Sequence, residues 1–278
     1  MAVSVSTILK GLVHRLSKKK KSSRFPSLSW TKEKILKHQD DKAIKQIQFG
    51  HLHVAYKRPY ELLHTYKELF EDEIYFFKAN TDAPLIIDCG ANIGLSVLYF
   101  KSLYPKAKLI AYEPDADNLT LLKQNVERNK LTNVECRQKA VWINNEELLF
   151  ASDGTQGSGI ANQQTSTNVV KMQAERLADV LQNTKVDFLK IDIEGAELEV
   201  VKDCAPFLHN VQNLFVEYHG KAAESEKLAA LFAVLKQNFQ VYIKMAADNL
   251  DHPFVEKTTG ASFDVQLNIF CYPFSEKK

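Results

Sequence analysis

Short apolar runs alternate with amphipathic stretches over most of the chain, beginning at Pro84. Apolar runs of this length predict buried strands, and the stretches between them, with apolar residues every three or four positions, predict helices. The predicted strands are Leu85–Asp88, Leu109–Glu113, Val134–Val141, Val186–Ile191 and Leu214–Tyr218. Alternation of strand and helix is typical of a mostly parallel, doubly wound sheet with helices on both faces. The pattern therefore predicts an α/β fold.

The C-terminal part of the chain departs from this alternation. Two more apolar runs, Val241–Lys244 and Val265–Tyr272, follow a helical stretch at Leu228–Leu235. No helical pattern separates the two runs, so we predict that they pair as a terminal antiparallel hairpin at the edge of the sheet.

Two segments precede the region of alternating strands and helices. Residues 1–40 are predicted to form a basic amphipathic extension and linker, because one helical face over residues 3–16 is apolar and Lys18–Lys21 follow it. Residues 41–82 are predicted to form an accessory hairpin and helix, with a turn at Gly50-His51 and a helix start at Pro59. The main domain would then comprise residues 83–278. Residues 1–21 are expected either to make a peripheral contact with an anionic membrane surface or to dock on the protein itself.

Composition narrows the class of protein. The chain has 278 residues, of which 45% are hydrophobic and 25% charged, as is typical of one large globular domain with a small extension. No apolar run approaches the roughly 18 residues that a membrane-spanning helix needs, and no secretory signal is apparent. The cysteines are Cys89, Cys136, Cys204 and Cys271. Their wide spacing favours neither zinc nor disulfides, so we predict a cytoplasmic protein, with a peripheral position at the inner membrane surface if residues 1–21 bind lipid.

The net charge of +2 conceals an asymmetry. Residues 1–37 contain ten Lys or Arg and one acidic residue, so this segment carries +9 and the rest of the chain carries −7. A nucleic-acid-binding domain is usually basic over one face of its body. We therefore expect no specific nucleic-acid partner.

A predicted buried strand runs directly into a glycine-containing turn, Gly90-Ala91-Asn92-Ile93-Gly94. Glycine lets the backbone approach a ligand closely, and ligands of open α/β sheets bind beyond the carboxyl ends of the strands. The dinucleotide fingerprint GxGxxG would require glycine at positions 92 and 95, where Asn92 and Leu95 stand. S-Adenosyl-L-methionine has no phosphate and tolerates Asn92, and Asp88 suits its cationic amino group. We therefore predict S-adenosylmethionine, and not NAD, as the cofactor.

An acidic residue ends the second predicted strand. Glu113 lies 23 residues after Gly90, close to the roughly 20-residue spacing of a ribose-binding carboxylate. Its two oxygens can accept hydrogen bonds from both ribose hydroxyls. Pro114 ends the strand and fixes the turn. The glycine turn and Glu113 together predict the cofactor site.

Five segments of the chain carry a family resemblance, in this order and spacing: LIIDCGANIGLSVLYF, AYEPDADNLTLLKQNVERN, KAVW, DFLKIDIEGAELEV and VEYHG. They closely resemble the FkbM-type methyltransferase family over about residues 60–272, and DIEGAE is their distinctive part. The resemblance implies a class I, Rossmann-like fold with S-adenosylmethionine as methyl donor. It also implies O-methylation of a hydroxyl on a sugar, polysaccharide or secondary metabolite.

The same resemblance implies a set of cofactor residues. The residues that match the cofactor motifs of the family are Asp88, Gly90, Asn92, Gly94 and Glu113. Ala140-Val141 matches the segment whose backbone lies against the adenine. Gln138 and Lys139 stand where class I enzymes often have an acid that binds the adenine amine. We therefore expect backbone groups or another side chain to recognise the adenine.

Acidic residues and a histidine end the fourth and fifth predicted strands. Asp192 and Glu194 lie two positions apart at the end of the fourth strand, and Glu217 and His219 do so at the end of the fifth. Alternate residues of an extended segment share a side, so we expect these side chains to face the transferred methyl group. The hypothesis is that His219 is the general base for the acceptor hydroxyl, oriented by Glu217 or Asp192.

Other interpretations of these residues remain open. Asp192 could hydrogen-bond the methionyl end of the cofactor, and Glu194 could cap the next helix. His219 could be a loop residue whose hydrogen bonds are satisfied within the protein. Glu197 is explained by a pair with a Lys. A divalent metal on Asp192 and Glu194 or Glu217, as in catechol-type enzymes, lacks an accompanying Asp-Asn pair, so we predict no metal site.

The predicted function is methylation of a small-molecule or glycan acceptor. Two alternatives are methylation of nucleic acid or protein, and a non-catalytic nucleotide-binding adaptor. Enzymes that methylate base amines usually carry an Asn/Asp-Pro-Pro-aromatic motif after the fourth strand, where this chain has DIEG. Variable loops build acceptor pockets, and we expect the hairpin at residues 47–58 and the loop Ala151–Gln163 to do so here.

Overall fold

The computed structural model describes residues 24–151, 159–160, 169–247, 252, 254–255 and 263–274. The helix predicted over residues 3–16 and the membrane contact predicted for residues 1–21 lie outside the described residues, as does most of the loop Ala151–Gln163. Within the described ranges, no helix has the length and apolarity required to cross a bilayer.

The described elements alternate between helix and strand through most of the chain. The helices are α1 (Trp30–His38), α2 (Pro59–Tyr66), α3 (Leu95–Leu103), α4 (Ala116–Arg128), α5 (Leu177–Leu181), α6 (Glu197–Cys204) and α7 (Ser225–Leu235). The strands are β1 (Lys45–Phe49), β2 (Leu52–Tyr56), β3 (Leu85–Cys89), β4 (Lys108–Tyr112), β5 (Val134–Arg137), β6 (Ala140–Trp142), β7 (Glu147–Ala151), β8 (Gly159–Ile160), β9 (Val169–Arg176), β10 (Val186–Ile191), β11 (Val211–Gly220), β12 (Gln240–Ala247) and β13 (Val265–Tyr272). A π-helical turn, Lys67–Glu71, extends α2.

The main sheet, among the residues described, has seven strands in the order β12-β13-β11-β10-β3-β4-β5. The strands from β11 to β5 are parallel, and β13 is antiparallel to both β11 and β12. The chain proceeds from β3 outward to β5 and then returns to β10 on the other side of β3. A crevice therefore forms between β3 and β10, where ligands of such sheets bind. The predicted fold class, a mostly parallel doubly wound sheet with a terminal antiparallel hairpin, is confirmed.

Both faces of the main sheet are covered, which explains why its strands read as continuous apolar runs. One face carries an aromatic cluster in which Tyr99 and Phe100 of α3 contact Phe70, Tyr75 and Phe188. The other face carries the mainly aliphatic core formed with α5, α6 and α7. Residues of the accessory segment belong to the first of these cores.

A buried asparagine ties the accessory hairpin to the main domain. Asn125 of α4 donates to the carbonyl oxygens of Ala55 at 3.0 Å and Ile93 at 2.8 Å. Its Oδ1 accepts from the N–H of Ala55 at 2.6 Å. Leaving such a buried amide unpaired would cost about 1–3 kcal/mol. The predicted hairpin is present as β1 and β2. Asn125 joins this hairpin to the glycine turn through Ala55 and Ile93.

The run Val134–Val141, predicted as one strand, is two strands in the structure. β5 belongs to the main sheet, whereas β6 pairs with β9. In the part of the chain that the structure describes, β6, β9, β7 and β8 form a second sheet of four strands that the sequence pattern did not predict. Gln138 and Lys139 between the two strands include no glycine or proline, so the pattern does not reveal that the pairing partner changes there.

Helix α1 lies in the segment predicted as a linker. Ser29 caps it, because the serine Oγ accepts from the N–H of Lys32 at 3.3 Å. Leu36 is the buried residue of this helix. With so few apolar residues in WTKEKILKH, the helix lacks the periodic pattern on which the prediction relied.

Candidate active site

A cavity of about 550 Å³ opens at the carboxyl ends of β3, β4, β10 and β11. This volume is within the range of about 300–1,000 Å³ that is typical of small-molecule sites. The predicted site residues that line it are Gly90, Asn92, Glu113, Pro114, Ala140, Asp192, Glu194, Glu217 and His219. Helix α2 of the accessory segment contributes Tyr60, Glu61 and His64. Of the residues 47–58 that were predicted to build the acceptor pocket, only Lys57 and Arg58 line this cavity.

Positive φ angles shape the glycine turn: Gly90 has φ 87° and Asn92 has φ 48°. A Cβ at Gly90 would clash with the carbonyl oxygen of Asp192, so glycine is required where β3 and β10 approach. The N–H groups of Gly90 and Ala91 donate to the carbonyl of Tyr112 at 3.0 and 2.9 Å. The turn is therefore fixed between β4 and β10, with Asn92 at the cavity.

Glu113 is buried directly after β4 and borders the cavity. One carboxylate oxygen accepts from the N–H of Asn92 at 2.7 Å, and the other accepts from the N–H of Asp115 at 3.0 Å. Burial raises the pKa of Glu113 to about 7, although the two backbone hydrogen bonds favour the charged form. Each oxygen keeps a further lone pair, so the carboxylate can still accept from two hydroxyl groups.

Two predicted cofactor residues do not reach the cavity. Asp88 is fully buried, where its Oδ2 accepts from Ser96 Oγ and its Oδ1 lies 3.3 Å from Lys190 Nζ. Gly94 faces Leu122 of α4, and a Cβ there would clash with the leucine side chain. Neither residue lines the cavity, although both were predicted to bind the cofactor. Asp88 orients Ser96 and Lys190, and Gly94 lets α3 pack against α4.

Lys190, which the sequence analysis did not single out, joins the two central strands. Its Nζ lies 3.1 Å from Asp192 Oδ2 and donates to the carbonyl of Gly90 at 2.8 Å. Burial alone would lower the pKa of Lys190, but Asp192 and Asp88 raise it well above its usual value. The available signal was a lysine inside the apolar strand VDFLKI, because a buried ammonium requires a charged partner.

Ala140, Val141 and Pro114 line the cavity beside β4 and β6. Lys139, which stands where an adenine-binding acid was considered, lies 2.9 Å from Glu175 of β9. The positive charge next to this part of the cavity is therefore paired within the protein.

The segment between β10 and α6 turns sharply beside the cavity. Glu194 has φ 55° and Gly195 has φ 98°, and the first value is uncommon for glutamate. Fully buried Glu197 holds the turn, since its Oε1 accepts from the N–H groups of Ile193 at 3.2 Å and Gly195 at 3.0 Å. Backbone strain of this kind concentrates at functional sites. The turn presents Glu194 to the cavity.

The same glutamate orients His219. Nδ1 of His219 lies 3.2 Å from Glu197 Oε1, and the backbone N–H of His219 donates to Oε2 at 3.4 Å. The prediction that Glu217 or Asp192 orients this imidazole is therefore wrong, because the first residue of α6 is buried against β11 and takes that position. Burial alone would lower the pKa of His219, but the hydrogen bond with Glu197 raises it to about 10.

Two further carboxylates face the other imidazole nitrogen. Nε2 of His219 is 3.6 Å from Glu194 Oε2 and 3.8 Å from Glu217 Oε1. Burial, with repulsion from Asp192, raises the pKa of both glutamates to about 8. The structure thus brings the four predicted catalytic residues together. The hydrogen bond of His219 with Glu197 favours the protonated imidazole, which makes His219 a weaker proton acceptor than predicted.

The strand order, the glycine turn at the central crevice and the carboxylate after β4 together define a class I methyltransferase. A family model described as the methyltransferase FkbM domain matches residues 88–244, which is more than half of the chain. The chain therefore belongs to the FkbM methyltransferase family. Its predicted class, a methyltransferase with S-adenosylmethionine as cofactor, is confirmed.

Individual relatives resemble the chain over part of its length. Methyltransferase 1 of Beauveria bassiana (strain ARSEF 2860) is 30% identical over 172 residues, which cover 53% of this chain and 68% of that protein. Hexuronic acid methyltransferase AglP of Haloferax volcanii is 28% identical over 136 residues, or 48% of this chain and 54% of that protein. The crystal structure of methyltransferase FkbM from Methylobacillus flagellatus KT has a TM-score of 0.45 and 19% identity, covering 70% of this chain and 45% of that one. The chain thus spans about half the length of the last two proteins.

Proposed function

We propose that this protein transfers the methyl group of S-adenosylmethionine to a hydroxyl of a small molecule or glycan. The observation that carries the proposal is a cavity lined both by Glu113 and by a cluster of carboxylates around an imidazole. This acceptor cluster consists of Asp192, Glu194, Glu217 and His219. A methyl donor and its acceptor must meet in line within one site, and a cavity with both sets of residues allows this.

The residues along the cavity fit the cofactor. Glu113 would bind the ribose hydroxyls, Asn92 would lie against the methionyl portion, and Ala140 would lie against the adenine. The bound cofactor supplies an electrophilic methyl group on a sulfonium. The carboxylates of the acceptor cluster suit such a cation and would disfavour the pyrophosphate of a dinucleotide.

Glu217 is the proposed proton acceptor. When the hydroxyl oxygen bonds to the methyl carbon, the sulfur keeps the electron pair of the broken C–S bond and the hydroxyl proton must leave. Glu217 lines the cavity, and its carboxylate lies 3.8 Å from Nε2 of His219, a distance longer than a hydrogen bond. Asp192 is paired with Lys190, and His219 acts as a positioning residue held by Glu197.

A polyhydroxylated acceptor agrees with the polar lining of the cavity. Glu61 and His64 of α2 add hydrogen-bonding groups to those of the acceptor cluster, and carboxylates and imidazoles readily bind hydroxyl groups. AglP is, by its name, a methyltransferase for a hexuronic acid, which supports a sugar among the acceptors to be tested. The charge of −7 outside residues 1–37 does not favour a nucleic-acid acceptor.

The test is a transfer screen with the full-length protein and methyl-labelled S-adenosylmethionine. The panel contains uronic-acid oligosaccharides, neutral oligosaccharides, hydroxylated polyketides, RNA and protein. Label on a hydroxyl of a small molecule or glycan is the expected result, with Glu217→Gln much slower than wild type. Label confined to RNA or protein would overturn the acceptor class. Calorimetric binding of the cofactor without transfer to any acceptor would favour the adaptor alternative.

A further inference from the structure

Asp192, Glu194 and His219 place potential metal ligands close together at the cavity. One oxygen from each carboxylate and one imidazole nitrogen all lie within 4.8 Å of one another. Catalytic metal sites commonly use three protein ligands and leave further positions open for water or substrate. These three side chains face a cavity in which such positions would be accessible.

The orientation of His219 is a second, independent observation. The residue is only 5% exposed, and its Nδ1 is held by Glu197. Nε2 points towards Glu194 and Glu217, but separations of 3.6 and 3.8 Å are too long for hydrogen bonds. Within the residues described, no hydrogen bond satisfies Nε2. A metal-ligating histidine almost always donates its other ring N–H to a carboxylate, carbonyl or water, which directs the free nitrogen to the metal.

More carboxylates than cations lie around His219 in the described part of the chain. The carboxylates gathered there, in the described part of the chain, are Asp88, Asp192, Glu194, Glu197 and Glu217, and the cations are Lys190 and, when protonated, His219. Lys190 is engaged by Asp88 and Asp192, and Glu197 already binds the imidazole. Buried charges persist when they are paired or coordinate a metal. Among the described residues, Glu194 and Glu217 therefore share the imidazole of His219 as their ion-pair partner.

We propose that Asp192, Glu194 and His219 bind a divalent first-row transition metal ion, such as Mn²⁺ or Zn²⁺, beside the acceptor. A mixed imidazole and carboxylate set suits these ions, whereas Mg²⁺ and Ca²⁺ prefer oxygen ligands alone. The open positions of the ion bind acceptor oxygens, and Glu217 stays available for the proton. Glu197 is a positioning residue, because it holds Nδ1 and leaves Nε2 for the metal.

Metal binding is measured without cofactor or acceptor. The full-length protein is stripped with a chelator and titrated with Mn²⁺, using calorimetry and the electron paramagnetic resonance signal of the free ion. We expect one ion per chain, and affinities at least 10-fold weaker in Glu194→Gln and His219→Gln. Glu197→Gln should weaken binding about 10–100-fold through its effect on the histidine. Glu199→Gln removes the same charge from α6 outside the cavity and should bind as the wild type does.

Circular dichroism and thermal melts establish that each variant is folded. The Glu194 side chain is 16% exposed and that of His219 only 3%, so Glu194→Gln is the variant that tests the proposal if His219→Gln does not fold. Wild-type protein that shows no saturable binding of Mn²⁺ or Zn²⁺ overturns the proposal, as does binding that Glu194→Gln leaves unchanged. Because metal occupancy is read without methyl transfer, bound metal in a protein that methylates no hydroxyl would contradict only the proposed function.

Discussion

The cavity has a proposed cofactor end and a proposed acceptor end. At the cofactor end one carboxylate, Glu113, accepts hydrogen bonds from the backbone of Asn92 and Asp115. At the acceptor end four carboxylates gather around one imidazole, and they belong to Asp192, Glu194, Glu197 and Glu217. Backbone donors are neutral and are fixed by the fold, so the cofactor end is organised before any ligand arrives. The acceptor end gathers more carboxylates than cations, and the sulfonium and the proposed metal ion would offset the charge of these carboxylates when they ionise.

Glu197 lies at the acceptor end but makes the same kind of backbone contacts as Glu113. Like Glu113 it is buried and accepts backbone N–H groups, yet it also binds His219. Glu197 is therefore held by backbone N–H groups, as Glu113 is, but the residue that it orients belongs to the acceptor end. Substitutions at the acceptor end should therefore change the methylation rate, and substitutions at the cofactor end should change cofactor affinity. Substitutions at Glu197 should change the free energy of unfolding.

The largest expected effect is on the methylation rate. Glu217→Gln removes the proposed proton acceptor, so the single-turnover rate should fall about 10²–10⁴-fold while cofactor affinity stays nearly constant. Quenched-flow measurements with the acceptor found in the screen test this, with Glu199→Gln as the charge-matched control. A rate within about threefold of wild type would mean that His219 or solvent, and not Glu217, accepts the hydroxyl proton.

The second effect is on stability. Glu197→Ala should lower the free energy of unfolding by about 3–5 kcal/mol, because it leaves the buried imidazolium without its partner. Glu197→Gln keeps the shape and some hydrogen bonds, so its cost should be smaller, about 1–3 kcal/mol. Guanidinium denaturation measures both variants. A loss below about 1 kcal/mol for the alanine variant would contradict the central role that the contacts of Glu197 indicate.

The third effect is on cofactor affinity. Glu113→Ala should weaken S-adenosylmethionine binding by about 1.5–3 kcal/mol, the range for a hydrogen bond to a charged group. Calorimetry measures the affinity, and Asp117→Ala, which alters an exposed carboxylate of α4, is the control. Unchanged affinity in a folded Glu113→Ala protein would remove Glu113 from the site.

The pH dependence at the cofactor end should be smaller still. Burial raises the pKa of Glu113 from 4.5 to about 7. The contribution of Glu113 to the stability of the cofactor-free protein is therefore fully present below pH 4.5 and is lost as the pH rises through about 7. Cofactor affinity should change in the opposite sense, rising through about pH 7 as the carboxylate ionises to accept the ribose hydroxyls. Affinity titrations from about 1.5 pH units below to about 1.5 units above 7 test this. In Glu113→Gln the affinity should no longer depend on pH over this interval.

The smallest effect concerns charge outside the cavity, where a basic extension precedes an acidic body. We propose that residues 1–21 bind anionic membrane surfaces. Co-sedimentation with phosphatidylserine vesicles should be stronger for the full-length protein than for a protein lacking residues 1–21, and high salt should weaken it. Equal sedimentation of the two proteins would assign the apolar face of residues 3–16 to a contact within the protein.

Local sequence pattern was sufficient for most of the main sheet. The predicted strands Val186–Ile191 and Val265–Tyr272 have the observed bounds, since most of their residues are apolar or β-branched and lie in the sheet core. The spacing of Gly90 and Glu113 predicted the proposed cofactor end for a similar reason. A turn directly after one strand and an acid directly after its neighbour must meet at the same edge of a parallel sheet.

Tertiary structure decided which of these side chains touch. Asp88 is opposite Lys190 because β3 and β10 align those two residues in register, and that pairing buries Asp88 away from the cavity. Glu197 reaches His219 because α6 begins against the end of β11. The sequence by itself determined the elements, the strand ends and the chemical types collected there, since these depend on local periodicity. Contacts between strand ends and helix starts depend on register and packing between distant segments, and these leave no local periodicity from which to predict them.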